Sequence, residues 1–231
     1  MRDFYAQPRD FQRFEDYLRM LEGERPGDLG LPISGFNPMA KDHILPKIQA
    51  LLDLDAEGIM GECIPDAAQA LESVGDPALT LVLNLVDDLH GGWSNRYATE
   101  FQMTFEIQAL VKRSFCTPVC WSSEAYHPDL IRQRTLQALF RSCYRLRHPG
   151  KLFTLADHLA QETYVAQQIG LPCPLHSQDQ AFLRAYAHSH ATTQDSSRIF
   201  NFFFGDNASR HLSYPTYGIP QDHAGFLFAM A

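Results

Sequence analysis

The sequence predicts a helix-rich α/β or α+β fold in which a small, mostly parallel central sheet is flanked by helices. Three observations carry this. Apolar residues recur at spacings of three and four along most of the chain, the period of a helix with one buried face. The segment Ala78-Leu-Thr-Leu-Val-Leu-Asn-Leu-Val86 breaks that period with a near-continuous apolar run, as a strand buried on both faces does. A second short apolar run, Phe115 to Trp121, comes after an intervening stretch, and strand, helix, strand implies a right-handed crossover joining a parallel pair.

Each element has its own local justification. Phe11, Phe14, Leu18 and Leu21 predict a helix over 9–21 that buries that stripe and ends before Gly23. Residues 24–38 are dense in Pro and Gly and read as a long ordered loop. Ile44, Ile48, Leu51 and Leu52 place a helix over 41–54, and Pro65 opens a short one that runs to Ser73. The strand at 78–86 follows Gly75 and Pro77 and closes on Asp87-Asp88. A mixed pattern covers 94–113, and Pro118 marks an edge or bulge in the second strand. Pro128 starts the best helix in the chain, stopped by Pro149-Gly150, and further helices cover 152–169, ended by Gly170, and 178–190. Residues 199–204 and 225–230 are short apolar runs that read as strands or buried turns.

The 231 residues, 45% hydrophobic, suffice for one sizeable core, and with no repeat or clear linker they read as a single domain over 1–231. Nineteen Lys and Arg against twenty-seven Asp and Glu give a net charge of −8, which argues against nucleic acid or an anionic membrane as partner. The N-terminal residues lack the apolar core of a signal peptide, and no apolar run approaches the roughly 20 residues that span a bilayer. Five cysteines, an odd number, read as reduced thiols in the cytoplasm. Cys116 and Cys120 have no second close pair with which to complete a zinc site. Nucleophile elbows, phosphate loops and dinucleotide fingerprints are absent.

The chemistry concentrates in Asp87-Asp88-Leu-His-Gly-Gly-Trp-Ser-Asn-Arg96, directly after the first strand. Ligands of open α/β sheets bind beyond the carboxyl ends of strands, where this turn lies. Asp87 and Asp88 suit a base, a divalent metal or a ligand hydroxyl, and His90 suits proton transfer. Gly91 and Gly92 permit close backbone approach, Ser94 or Asn95 caps a helix, and Arg96 suits an anionic group. The segment partly resembles the phosphoribosyl-diphosphate-binding motif of type I phosphoribosyltransferases. It departs from that motif in having only Leu89 and His90 before Gly91-Gly92-Trp93-Ser94, one residue too few, and in lacking the loop threonines.

Helical spacing singles out further groups. In the helix after Pro128, Leu136, Leu139, Cys143 and Leu146 define the buried face, and Arg134, Arg141, Arg145 and His148 line the opposite, solvated side. Arg132 and Arg147 fall within or beside the apolar face, where a guanidinium needs a carboxylate or an anionic ligand. His158 and Glu162, one turn apart, can hydrogen-bond or share a divalent metal, the one cofactor the sequence suggests. Phe200 to Phe204 and Phe226 to Phe228 must be buried in the core or in a homodimer interface.

Two functions follow as expectations. The first is binding of a small phosphorylated or carboxylated molecule at the Asp87–Arg96 turn, with transferase or hydrolase chemistry if the protein is an enzyme. The second is a non-catalytic homo-oligomeric interaction protein with a basic docking helix.

Overall fold

The computed structural model describes residues 2–23, 28–32, 39–40, 42–75, 77–89 and 95–231. Its elements in chain order are α1 (Arg2–Ala6), α2 (Phe11–Leu21), α3 (Ile44–Asp53), α4 (Ala56–Glu62), α5 (Ile64–Glu72), β1 (Thr80–Leu81), β2 (Asn84–Val86), α6 (Arg96–Phe105), α7 (Gln108–Lys112), β3 (Phe115–Cys116), β4 (Val119–Trp121), α8 (Pro128–Arg147), α9 (Leu155–Ile169), α10 (Ser177–Ser189), α11 (Ser196–His211) and α12 (Ala224–Phe228). The fold is therefore helix-rich with a small parallel strand set flanked by helices. Among the described residues no helix is long and apolar enough to cross a membrane. Two compact units form, Met1–Arg96 with Ala109–Leu139, and Tyr97–Gln108 with Phe140–Ala231.

In the first unit the sequence's single strand becomes two. β1 pairs with β3 and β2 with β4, both parallel and both in one register, Thr80 opposite Phe115 and Asn84 opposite Val119. Between them Val82 N–H donates to the Cys116 carbonyl and Asn84 N–H to the Pro118 carbonyl, each at 2.9 Å. The rung that should return to the Val82 carbonyl would come from residue 118, and proline has no N–H to give. Pro118 thus splits one ribbon into two short ladders. Along the first strand burial rises from exposed Thr80 to buried Asn84 and Val86, while Phe115, Cys116, Cys120 and Trp121 of the second are all buried. Leu51, Met60, Cys120 and Ile131 form the core beside the ribbon.

The face that α2 buries differs from the one its apolar spacing predicts. Phe11, Phe14 and Leu18 are exposed, Phe11 to 72%, whereas Arg13, Tyr17 and Leu21 are buried. The reason is α1, which the sequence reading left without a helix. The Phe4 and Tyr5 rings of α1 stack on the Arg13 guanidinium at 5.3 and 4.8 Å, and Arg13 donates to the carbonyls of Gln7 and Ala40. A cation stacked on rings and bonded to carbonyls can be buried where an unpaired one cannot.

In the second unit α9 begins at a capping box, with Thr154 and Asp157 exchanging side-chain to backbone bonds, and ends at Gly170 with φ 72°. The aromatic run read as a strand or turn is helix instead. Ile199, Phe200, Phe202, Phe203 and Phe204 of α11 are all buried, packed with Phe105, Leu155, Leu183 and Ala224 in one core. A helix covered on all sides loses its 3.6-residue polar pattern, which is why its sequence mimics a buried strand. α11 bends sharply at Gly205 (φ 85°, ψ 174°), and the 225–230 run is helix in α12 up to Phe228 and turn beyond it.

Candidate functional site

Parallel pairing in a common register brings the two strands to their carboxyl ends together. Ser122 N–H closes the last rung on the Val86 carbonyl at 2.9 Å, so Asp87-Asp88 and Ser122-Ser123 leave the ribbon side by side. Asp87 Oδ1 accepts from His43 Nε2 at 2.9 Å, from Ser122 Oγ at 2.7 Å and from Leu89 N–H at 3.1 Å. Asp88 accepts from Ser123 N–H at 2.9 Å and Ser123 Oγ at 2.6 Å, and pairs with Arg96 Nη1 at 3.1 Å. Arg96 also reaches Glu124 Oε1 at 2.9 Å and lies over the Trp121 ring, 5.1 Å from its centre. Glu124 then pairs with Arg134 at 2.9 Å. The result is a chain of alternating charge, Asp88, Arg96, Glu124 and Arg134, across the end of the ribbon.

Burial pushes the Asp87 carboxyl up, but the bonds from His43, Ser122 and the Leu89 N–H outweigh it and hold the group below the ordinary carboxylate range. A depressed folded value contributes stability that is present above the unfolded value and lost as pH falls through the folded one. The Asp87→Asn variant is therefore expected to lose less stability than the parent as pH is lowered from about 5. Denaturant midpoints across that range check it, and parallel acid limbs would contradict it.

Ser122, His43 and Asp87 together suggest a nucleophilic relay, and the bonding argues otherwise. Such a relay needs the hydroxyl on the imidazole and the imidazole on the carboxylate. Here Ser122 Oγ and His43 Nε2 both bond directly to Asp87 Oδ1, and Ser122 Oγ lies 3.1 Å from Asp88 Oδ1 as well.

Of the residues singled out in the turn, Asp87, Asp88 and Arg96 come together, and Asn95 is an exposed residue just before α6. His90, Gly91, Gly92 and Ser94 lie outside the described residues. Arg132 is elsewhere in the first unit, pairing with Glu62 at 2.9 Å and Asp66 at 3.7 Å. Arg147, in the second unit, is exposed with its guanidinium over the Tyr164 ring. The arginines of α8 are placed almost opposite to the wheel reading: Arg145 is 1% exposed, Arg141 is paired with Glu162, and Arg132 and Arg147 are outside. α8 belongs to the first unit up to Leu139 and to the second from Phe140, so it has no single inner face for a wheel to find.

His158 and Glu162 are both buried, yet each is already engaged. His158 Nδ1 bonds the Thr154 carbonyl at 2.7 Å, and burial among Phe101, Phe105 and Phe203 lowers the imidazole pKa. Glu162 receives Arg141 in a two-bond fork at 2.9 and 2.7 Å. Among the described residues no group of three or more His, Cys, Asp or Glu side chains could hold a metal ion.

Beside the ribbon, the first unit holds a cavity of about 440 Å³. Ile44, Ile48, Leu51 and Leu52 of α3 form its floor with Leu83 and Leu85 of the ribbon. Among the described residues its charged lining is mostly acidic, with Asp3, Asp55, Glu57 and Asp87 against Arg2. Asp55 sits at φ 54°, and a Cβ at Gly58 would collide with its carboxylate, so glycine leaves that acid room beside α4.

No family model, curated protein or solved structure matches the chain.

Residue placement therefore carries the functional argument alone. The sequence reading missed His43, Ser122 and Ser123, and it did not bring Glu124 or Arg134, which it placed on the solvated side of the helix after Pro128, to this site. A signal existed for the serines and Glu124: two parallel strands ending in step place the residues after one beside those after the other. His43 carries no such mark, since only tertiary packing brings it to Asp87.

Proposed function

We propose that the protein binds a small molecule in the cavity of the first unit, with an apolar body on α3 and the ribbon and a cationic group toward the acidic rim. The observation that carries this reading is the lining: among the described residues an aliphatic floor meets four carboxylates and one arginine in a cavity sized for a small ligand. Binding at the turn by an anion is the weaker reading, because Arg96 is already shared between Asp88 and Glu124 and an anion would have to displace one of them. The basic docking helix loses its footing too, since Arg134, Arg141 and Arg145 do not form a solvated stripe. Asp87 and Asp88 accept several bonds each within the protein, so we assign binding rather than transfer or hydrolysis. Five free thiols, four of them buried, support a reducing compartment, the cytoplasm, as its location.

Calorimetric titration with 2-phenylethylamine and 3-phenylpropionate tests the charge preference. The amine is expected to bind at one site and at least about tenfold more tightly than the acid, a difference of ~1.4 kcal/mol. Leu52 is half exposed at the cavity, so Leu52→Arg adds a cation there without emptying the core. It is expected to abolish amine binding with the melting temperature unchanged. Equal binding of acid and amine, or amine binding untouched by Leu52→Arg, would overturn the assignment.

A further inference from the structure

The second unit carries a concavity of a different character. α9 and α10 run antiparallel, because Leu155 and Ala156 at the start of α9 donate to the carbonyls of Thr193 and Ala191, just past the end of α10, each at 3.0 Å. Between them lies a groove of about 560 Å³. Alanine cuts both walls, Ala156 and Ala160 on one side and Ala187 and Ala191 on the other, so no side chain fills the space.

The antiparallel arrangement orders the remaining lining along α9. Leu155, Leu159 and Ala191 lie toward the start of α9, with His188 of α10 beside them, while Thr163, Tyr164, Gln167 and Arg184 gather toward its end. Among the described residues no Asp or Glu lines the groove. Arg184 has no ion-pair or hydrogen-bond partner among the described residues, whereas Arg141 and Arg145 of the same unit are bonded within the protein. The span from Ala156 to Gln167 at 1.5 Å per residue is about 16 Å, the reach of a medium-length acyl chain.

We propose that this groove binds a single-chain fatty carboxylate, with the carboxylate at Arg184 and the chain lying along the alanine walls. Charge complementarity selects this ligand over an amine, since Arg184 and His188 line the groove beside its apolar residues. The site is independent of the first unit's cavity in charge, residues and position in the chain.

Calorimetric titration of the full chain carrying Leu52→Arg, which closes the other cavity to cations, tests the proposal with dodecanoate and dodecylammonium below their micelle concentrations. Dodecanoate is expected to bind one to one, at least about tenfold more tightly than dodecylammonium. Arg184 and Ala160 are both exposed, so Arg184→Glu and Ala160→Trp leave the core intact. Arg184→Glu is expected to weaken dodecanoate tenfold or more, and Ala160→Trp to remove binding by filling the groove. Absence of saturable dodecanoate binding, equal affinity for the ammonium, or wild-type affinity in both variants would each overturn the proposal.

Discussion

Gly205→Ala is expected to destabilise the protein by about 3 kcal/mol or more, among the largest effects of any single methyl added to the chain. Gly205 adopts φ 85° and ψ 174°, a region open essentially to glycine alone. A Cβ there would lie 2.5 Å from the Gln221 carbonyl oxygen and 3.1 Å from its carbon, backbone atoms that cannot rotate away. The bend it permits lets Asp206 N–H donate to the Ile219 carbonyl at 2.7 Å. The Asp206 carboxylate then accepts from Asn201 Nδ2 at 2.9 Å and from Tyr217 N–H at 3.2 Å. Losing the bend therefore detaches the segment after α11 as well as straining the helix. Gly61 provides the control: it lies in α4 with nothing within 4 Å of its would-be Cβ, so Gly61→Ala is expected to be neutral or stabilising by up to about 1 kcal/mol. Urea denaturation of both variants checks the pair, and a Gly205→Ala value within about 0.5 kcal/mol of the parent would contradict the account.

Arg141→Met is expected to be costlier still, at about 3–5 kcal/mol, because it strands a buried carboxylate. Side-chain exposure is 14% for Arg141 and 4% for Glu162. Burial alone would lower the guanidinium pKa, and the facing Glu162 carboxylate, in a forked pair with it, outweighs this and raises it. Gln161 Nε2 adds a further bond to Glu162 at 3.0 Å. An ion pair of this kind is valuable mainly in that neither half is left alone, since replacing both halves by apolar residues is often neutral or stabilising. The double variant Arg141→Met, Glu162→Leu is thus expected to recover most of the loss. Additive losses in the double-mutant cycle, or a single loss below about 1 kcal/mol, would show that the pair is not isolated from water as its burial implies.

What the sequence disclosed followed from local punctuation. Pro128 and Gly170 mark helix ends by chemistry that acts within a turn, and α8 begins and α9 ends where they place those ends. The parallel strand pair was legible from two apolar runs separated by a helical stretch. Pro118 was visible as an irregularity, but its effect on the Val82 rung required the register. Burial was harder to read than helix. Arg13, Arg141 and Arg145 are covered, and Phe11 and Leu18 are not, because partners distant in the chain decide what a cation or a ring meets. The site showed the same limit. Asp87, Asp88 and Arg96 stand together as their spacing suggested, yet Arg96 faces carboxylates from two segments and is not an open anion clamp. The acidic cavity was invisible beforehand, since its carboxylates come from α1, from the turn into α4 and from the end of β2.

The most direct test of the central claim is amide hydrogen exchange of the full chain with and without saturating 2-phenylethylamine. The account requires slower exchange in α3, at the start of α4 and along β2, the elements that line the first unit's cavity. It requires no such change with 3-phenylpropionate at equal concentration. Unchanged exchange in α3 and β2 with the amine, or equal protection by the acid, would contradict the assignment of that cavity as a site for an apolar cation.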